Sequence, residues 1–195
     1  MRLLFVGDVD KAALAAVVND RFVDLTYPLE RDASVRIVTT ESPEALPLYR
    51  HSTAHLLAAA VTNLFPGAQC GIGPATDEGF FYDFVVQRPF VPEDLDKIET
   101  RMRKIIKEGQ RFSRRVVSDG DAIAELADEP YKLELIGLKG SGAEAAEGAN
   151  VEVGAGELTI YDNLKRDGSL AWKDLCRGPH LPTTKRIPAF KLMRS

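Results

Sequence analysis

The sequence predicts an α+β protein made of a small unit, residues 1–42, and a larger one, residues 43–195. Three observations carry this. Residues 49–66 hold a run of strong helix formers, Ala54, Leu56, Leu57, Ala58, Ala59 and Ala60, stopped by Phe65-Pro66-Gly67. A second helix opens at Pro92 and shows a stripe of Leu95, Ile98, Met102, Ile105 and Ile106. Several shorter stretches alternate apolar and polar residues at the strand period.

Taken in order, Lys11 to Val18 reads as a short Ala-rich helix, and Phe22 to Leu25 and Val35 to Thr39 read as strands. Glu41 to Leu48, with Pro43 and Pro47, reads as a linker between the two units. After the Ala-rich helix, Gly71-Ile72-Gly73-Pro74 and Asp77-Glu78-Gly79 are turns bracketing a hairpin, with Phe80, Tyr82, Phe84 and Val86 on one face of the strand that follows. The Pro92 helix is acidic at its start and basic at its end, which suits the helix dipole, and is expected to cover a sheet. Phe112 to Val117 reads as a strand, Asp121 to Asp128 as a helix ended by Pro130, and Tyr131 to Ile136 as a strand with Lys132 and Glu134 on one face. Residues 137–156, rich in Gly, Ala and Glu without periodicity, read as an insertion. Glu157 to Tyr161 resumes a strand, Asn163 to Ser169 turns, and Leu170 to Cys176 runs into a tight turn at Gly178-Pro179.

Composition narrows the function classes. There are 195 residues and a formal net charge of −4, which does not by itself announce a nucleic-acid binder. Basic clusters at Arg101, Arg103, Lys104 and Lys107, at Arg111, Arg114 and Arg115, and at Lys185, Arg186, Lys191 and Arg194 are equally readable as solvated surfaces. No apolar run of about 18 residues exists, so no membrane span or membrane partner is expected. Met1 to Val6 is too short for a signal peptide. The two cysteines have unlike contexts, which fits a reducing cytoplasm better than a disulfide framework.

The chemistry concentrates in two pentapeptides, His51-Ser52-Thr53-Ala54-His55 and Cys176-Arg177-Gly178-Pro179-His180. They hold all three histidines of the chain and one of its two cysteines. On a helix, His51 and His55 share one face, about 6 Å apart along the axis. Strand alternation puts Trp172, Asp174 and Cys176 on one face, with His180 returning after the turn. An HxxxH alone is common on helix surfaces. Joined to a CxxxH in a chain with no other histidine, it is expected to form one site.

These two motifs resemble the paired motifs of the editing domain of bacterial threonyl-tRNA synthetases. Gly73-Pro74, the Asp77–Phe84 stretch, Glu129-Pro130-Tyr131-Lys132 and Ala189-Phe190-Lys191-Leu192 follow that family in the same order. Residues 1–42 are similar to part of a ubiquitin-like TGS domain whose first hairpin and helix are shortened or absent. The resemblance implies an antiparallel-sheet editing domain with the HxxxH helix at its centre. It also implies an activity, hydrolysis of the ester of mischarged seryl-tRNA(Thr), with the acceptor end of tRNA(Thr) carrying serine as partner. It implies His51, Lys132, His55, Cys176 and His180 as catalytic residues and Asp174 and Tyr82 as substrate-binding ones. No cofactor is implied by this branch. Zinc on His51, His55, Cys176 and His180 is the alternative, as in an alanyl-type trans-editing deacylase, and a non-catalytic tRNA-binding or regulatory module is another. No aminoacylation core is expected within the chain, so a synthetase catalytic domain is implied in cis or in trans.

Overall fold

The computed structural model describes residues 12–139 and 157–193. Lys11, Met1 to Val6, Arg194 and most of the Gly/Ala/Glu-rich stretch lie outside the described residues.

The small unit is a three-stranded antiparallel sheet in the order β2-β1-β3, from β1 (Ala15–Val18), β2 (Arg21–Val23) and β3 (Val35–Val38). The two later strands fall where the sequence places them. The first does not, because Ala15–Val18 is the central strand and not part of a helix. Its backbone pairs on both sides, and that tertiary pairing overrides the helix preference of its two alanines. One face of this sheet is not separate from the larger unit. Leu14, Ala15 and Val38 enter the same core as Leu48, Leu56, Val61, Met102 and Tyr161.

The histidine helix α1 (Ala45–Leu64) starts inside the expected linker, since Pro47 is tolerated in a first helical turn. It is buried nearly all round, including Ser52, Thr53, His55, Leu56 and Ala58 to Val61. Its alanines let neighbouring elements approach closely. A short antiparallel pair, β4 (Gln69–Cys70) with β5 (Phe84–Val85), follows. Burial alternates as the sequence predicts, with Tyr82 inward and Phe81 and Asp83 outward. Helix α2 (Pro92–Glu108) is capped by Asp94, which accepts from Val91 N, and ends at Gly109 with φ 66°. It packs chiefly on α1 and on the short 3-10 turn Thr184–Arg186, rather than serving only as a sheet cover.

The main sheet is antiparallel, in the order β6 (Arg111–Val117), β7 (Leu158–Leu164), β8 (Leu170–Leu175). β7 runs through Asn163, placed in a turn by the sequence reading. Asn163 instead pairs with Phe112 on one side and Trp172 on the other. One sheet face carries Phe112, Tyr161, Asn163, Trp172 and Asp174 towards α1. The other carries Leu158, Ile160 and Leu175 onto α3 (Asp119–Glu125) and α4 (Pro130–Gly137).

Helix α4 corrects a second expectation. The stretch after Pro130 is helical, with Pro130 opening it instead of closing the previous helix. The alternation of Tyr131, Leu133 and Leu135 misled because the buried pair is Lys132 and Ile136, spaced four apart on one helical face. Glu134, expected beside Lys132, is exposed.

Candidate active site

The two pentapeptides meet across 125 residues of sequence. β8 delivers Cys176 beside the first turns of α1, and the cis Gly178–Pro179 bond lies in the turn that brings His180 back. His51 Nε2 is 3.1 Å from Cys176 Sγ, and His180 Nε2 is 3.4 Å from the same sulfur. The His51 and His180 rings stack with centroids 4.4 Å apart and 7° between planes. Gly178 N donates to the sulfur from 3.3 Å. His51 is half-buried and is the member that reaches solvent, whereas Cys176 and His180 are each 1% exposed.

His55 belongs to the group but does something different. Its Nε2 is 2.9 Å from Asn163 Oδ1, and Asn163 Nδ2 donates to Gln110 Oε1 at 3.2 Å, which orients the amide. Trp172 and Phe112 present ring edges to it. His55 is thus a packed, fully hydrogen-bonded part of the wall.

Lys132, Tyr82 and Asp174 form a second wall. Lys132 Nζ is 3.0 Å from Asp174 Oδ1 and donates to the Tyr82 hydroxyl at 2.9 Å, while that hydroxyl donates to Asp174 Oδ2 at 2.6 Å. Lys132 is fully buried, so its charge is bearable only because the carboxylate is beside it. Tyr82 packs over Gly73, where any Cβ would collide with its ring. Gly73 in turn hydrogen-bonds His51 through its backbone, which links the two walls.

The electrostatics follow from burial. Desolvation pushes His51 and His55 down to about 4; Asp174 opposes this at both, while the charge of His55 adds to it at His51 and that of Lys132 at His55. His180 lies well below its ordinary value, for burial first and its two histidine neighbours second. All three imidazoles are therefore neutral near pH 7 and able to accept a proton. The Cys70 thiol, buried beside Tyr82, is pushed up by burial.

All seven site residues predicted from sequence come together here. Four partners were not foreseen: Ser52, whose Oγ is 3.3 Å from His180 Nδ1, Asn163, Gln110 and Asp24. Ser52 lies inside the first motif and could have been found there. The others carry no local signal. As a metal set, the ligand atoms of His51, Cys176 and His180 lie within 4.8 Å of one another, which fits a three-ligand site. His55 is not part of that set, because its nitrogen is held by Asn163. A cavity of about 290 Å³ opens on the far side of Trp172, between α1 and α2. It is lined by neither the imidazoles, nor Cys176, nor Lys132, so the chemistry is not there.

The fold and site define a class, a small β-sheet unit docked on an α+β domain that gathers imidazoles, a thiol and a buried Lys–Asp pair around one helix. The family described as the TGS domain matches residues 7–39, and the Threonyl and Alanyl tRNA synthetase second additional domain matches residues 153–195. The chain is 65% identical to a threonine–tRNA ligase of Nocardioides sp. over 192 residues, 95% of this chain and 29% of that protein. It is 62% identical to the enzyme of Thermobifida fusca over 186 residues, 95% of this chain and 28% of the relative. With that of Streptomyces coelicolor it shares 59% over 193 residues, 98% of this chain and 29% of the relative. The chain therefore carries matches to a TGS domain and to the second additional domain of threonyl- and alanyl-tRNA synthetases, is similar to threonine–tRNA ligases along nearly all its length, and spans under a third of the length of these relatives.

Proposed function

We propose that this region proofreads aminoacyl-tRNA, hydrolysing the ester of seryl-tRNA(Thr). The observation that carries the reading is a half-buried neutral histidine, His51, set beside Cys176 and linked through the Gly73 backbone to a buried Lys132–Asp174–Tyr82 group. Such a group supplies a base at the solvent side and fixed charge within. The need for it is chemical. Serine lacks one methyl of threonine, and a synthetic site discriminates such a difference by only about 10–200-fold, so a second hydrolytic site is required.

In the proposed step, His51 takes a proton from water as its oxygen attacks the ester carbonyl. The tetrahedral oxyanion collapses, the ribose oxygen leaves, and the proton passes to it. Lys132 stabilises the developing negative charge. Asp174 keeps lone pairs beyond those given to Lys132 and Tyr82, and these receive the substrate's ammonium. His180 and Cys176 shape the pocket around His51, and His55 holds the wall.

A second reading is favoured by the three converging donor atoms of His51, Cys176 and His180. A zinc ion held there would lower the pKa of a bound water. In either reading the chain's own residues bind and orient the same ester.

The test is a deacylation assay on Ser-tRNA(Thr), Thr-tRNA(Thr) and Ser-tRNA(Ala). Ser-tRNA(Thr) is expected to be consumed fastest, and activity that survives chelation removes the zinc reading. The proposal fails if His51→Ala and Lys132→Ala both hydrolyse Ser-tRNA(Thr) at the wild-type rate.

A further inference from the structure

We infer that Asp24, on the small N-terminal sheet unit, is a positioning residue for the Cys176–His180 turn, so that this unit is a working part of the site. The inference deepens the hydrolytic reading above and rests on it for its consequence in catalysis.

Asp24 directly follows β2. Its two carboxylate oxygens do separate jobs. Oδ1 accepts from His180 N at 2.9 Å, across 156 residues of sequence, and Oδ2 accepts from the Tyr161 hydroxyl at 2.7 Å. Tyr161 is itself 1% exposed and sits edge-on to the His180 ring, with centroids 4.5 Å apart and 82° between planes. Its hydroxyl fills the space over Gly178 so closely that a Cβ there would overlap it, and Gly178 has φ 65°. Asp24 therefore ties the turn's backbone and its tyrosine backstop into one unit.

The turn depends on such ties. The N–H groups of His180 and Leu181 both go to side chains of distant elements, His180 N to Asp24 and Leu181 N to Ser52 Oγ at 3.0 Å. A ladder strand is held in place by its neighbours' backbones, but this turn is held by a carboxylate on one side and a hydroxyl on the other. Losing the carboxylate frees the His180 backbone to drift, and with it the stack on His51 and the contact to Cys176. It also leaves a buried N–H and the Tyr161 hydroxyl without acceptors.

The experiment compares Asp24→Ala, Asp24→Asn and Tyr161→Phe in the whole chain. Because the chain has only three histidines, all at the site, their imidazole NMR signals can be followed individually. Alkylation of Cys176 by iodoacetamide, located by mass spectrometry, reports how well the turn is closed. Asp24→Ala is expected to move the His180 signals most and to speed Cys176 alkylation. It is also expected to lower kcat on Ser-tRNA(Thr) about tenfold with KM little changed, as a small misplacement of a reacting group does. Asp24→Asn keeps an oxygen for His180 N and is expected to recover most of the loss. Tyr161→Phe removes one hydroxyl, and it carries the test if the alanine variant does not fold. Unchanged His180 signals and unchanged alkylation in Asp24→Ala and Tyr161→Phe overturn the inference. If the wild type hydrolyses no aminoacyl-tRNA, the proposed function falls, while NMR and alkylation still decide whether Asp24 positions the turn.

Discussion

The two walls of the site solve opposite problems. On one, His51, His55, Cys176 and His180 are crowded together without a paired carboxylate, and burial keeps the imidazoles neutral. On the other, Lys132 and Asp174 form an ion pair in an equally dry place, and Tyr82 bonds to both. The first wall can gain a proton and return to neutrality. The second keeps its charge and geometry through a reaction. The difference teaches that burial alone does not set a group's role; what lies within 3 Å does. Within the first wall the same contrast recurs, since His51 reaches solvent while His55 is locked by Asn163.

Removing His51 should separate the walls most sharply. His51→Ala is expected to lower hydrolysis by about 10²–10⁴-fold, the usual worth of a general base, with little change in thermal stability. His55→Ala should invert that pattern, losing stability first; equal losses of stability in both variants would erase the distinction between them.

Next in size, Lys132→Met should cost about 3–5 kcal/mol in urea unfolding by leaving Asp174 buried and unpaired. Lys132→Met with Asp174→Leu should recover much of it. A double variant as unstable as the single one would show that the pair is not what compensates the buried charge.

Acid should weaken the imidazole wall. The unfolded chain protonates its histidines near 6.5, whereas the folded chain protonates His51 and His55 only near 4 and holds His180 well below its ordinary value. Between these values the unfolded state binds more protons, so stability is whole above about pH 6.5 and falls as pH drops towards 4. The slope is up to about 1.4 kcal/mol per pH unit for each histidine held down in this way. A flat stability profile from pH 7 to 4.5 would contradict it. Smaller again, Gly73→Ala should cost about 1–3 kcal/mol by displacing the Tyr82 ring, with reduced hydrolysis as the second readout. Lys104→Ala, on the exposed face of α2, should stay within about 0.5 kcal/mol of wild type in the same unfolding assay.

Much of this was legible in the chain itself. The concentration of every histidine into two motifs, the Ala-rich helix beneath the first and the strand alternation of Trp172, Asp174 and Cys176 are local patterns, and local patterns survive into the fold. The misreadings share one cause. Ala15–Val18 became a strand because β2 and β3 flank it. The stretch after Pro130 became a helix because Lys132 and Ile136 needed one buried face. Each was decided by pairing and burial in the folded chain, which local composition does not encode.

By itself, then, the order of amino acids determined which imidazoles and thiol would gather in two motifs and which elements would carry most of them, because helix formers, turn residues and scarce imidazoles write short-range signals. Only the tertiary structure decided that Asp24 holds His180, that Asn163 and Gln110 hold His55, and that Lys132 faces Asp174. Those pairings join residues 42 to 156 positions apart, and a hydrogen bond or ion pair acts over about 3 Å of space whatever the separation along the chain.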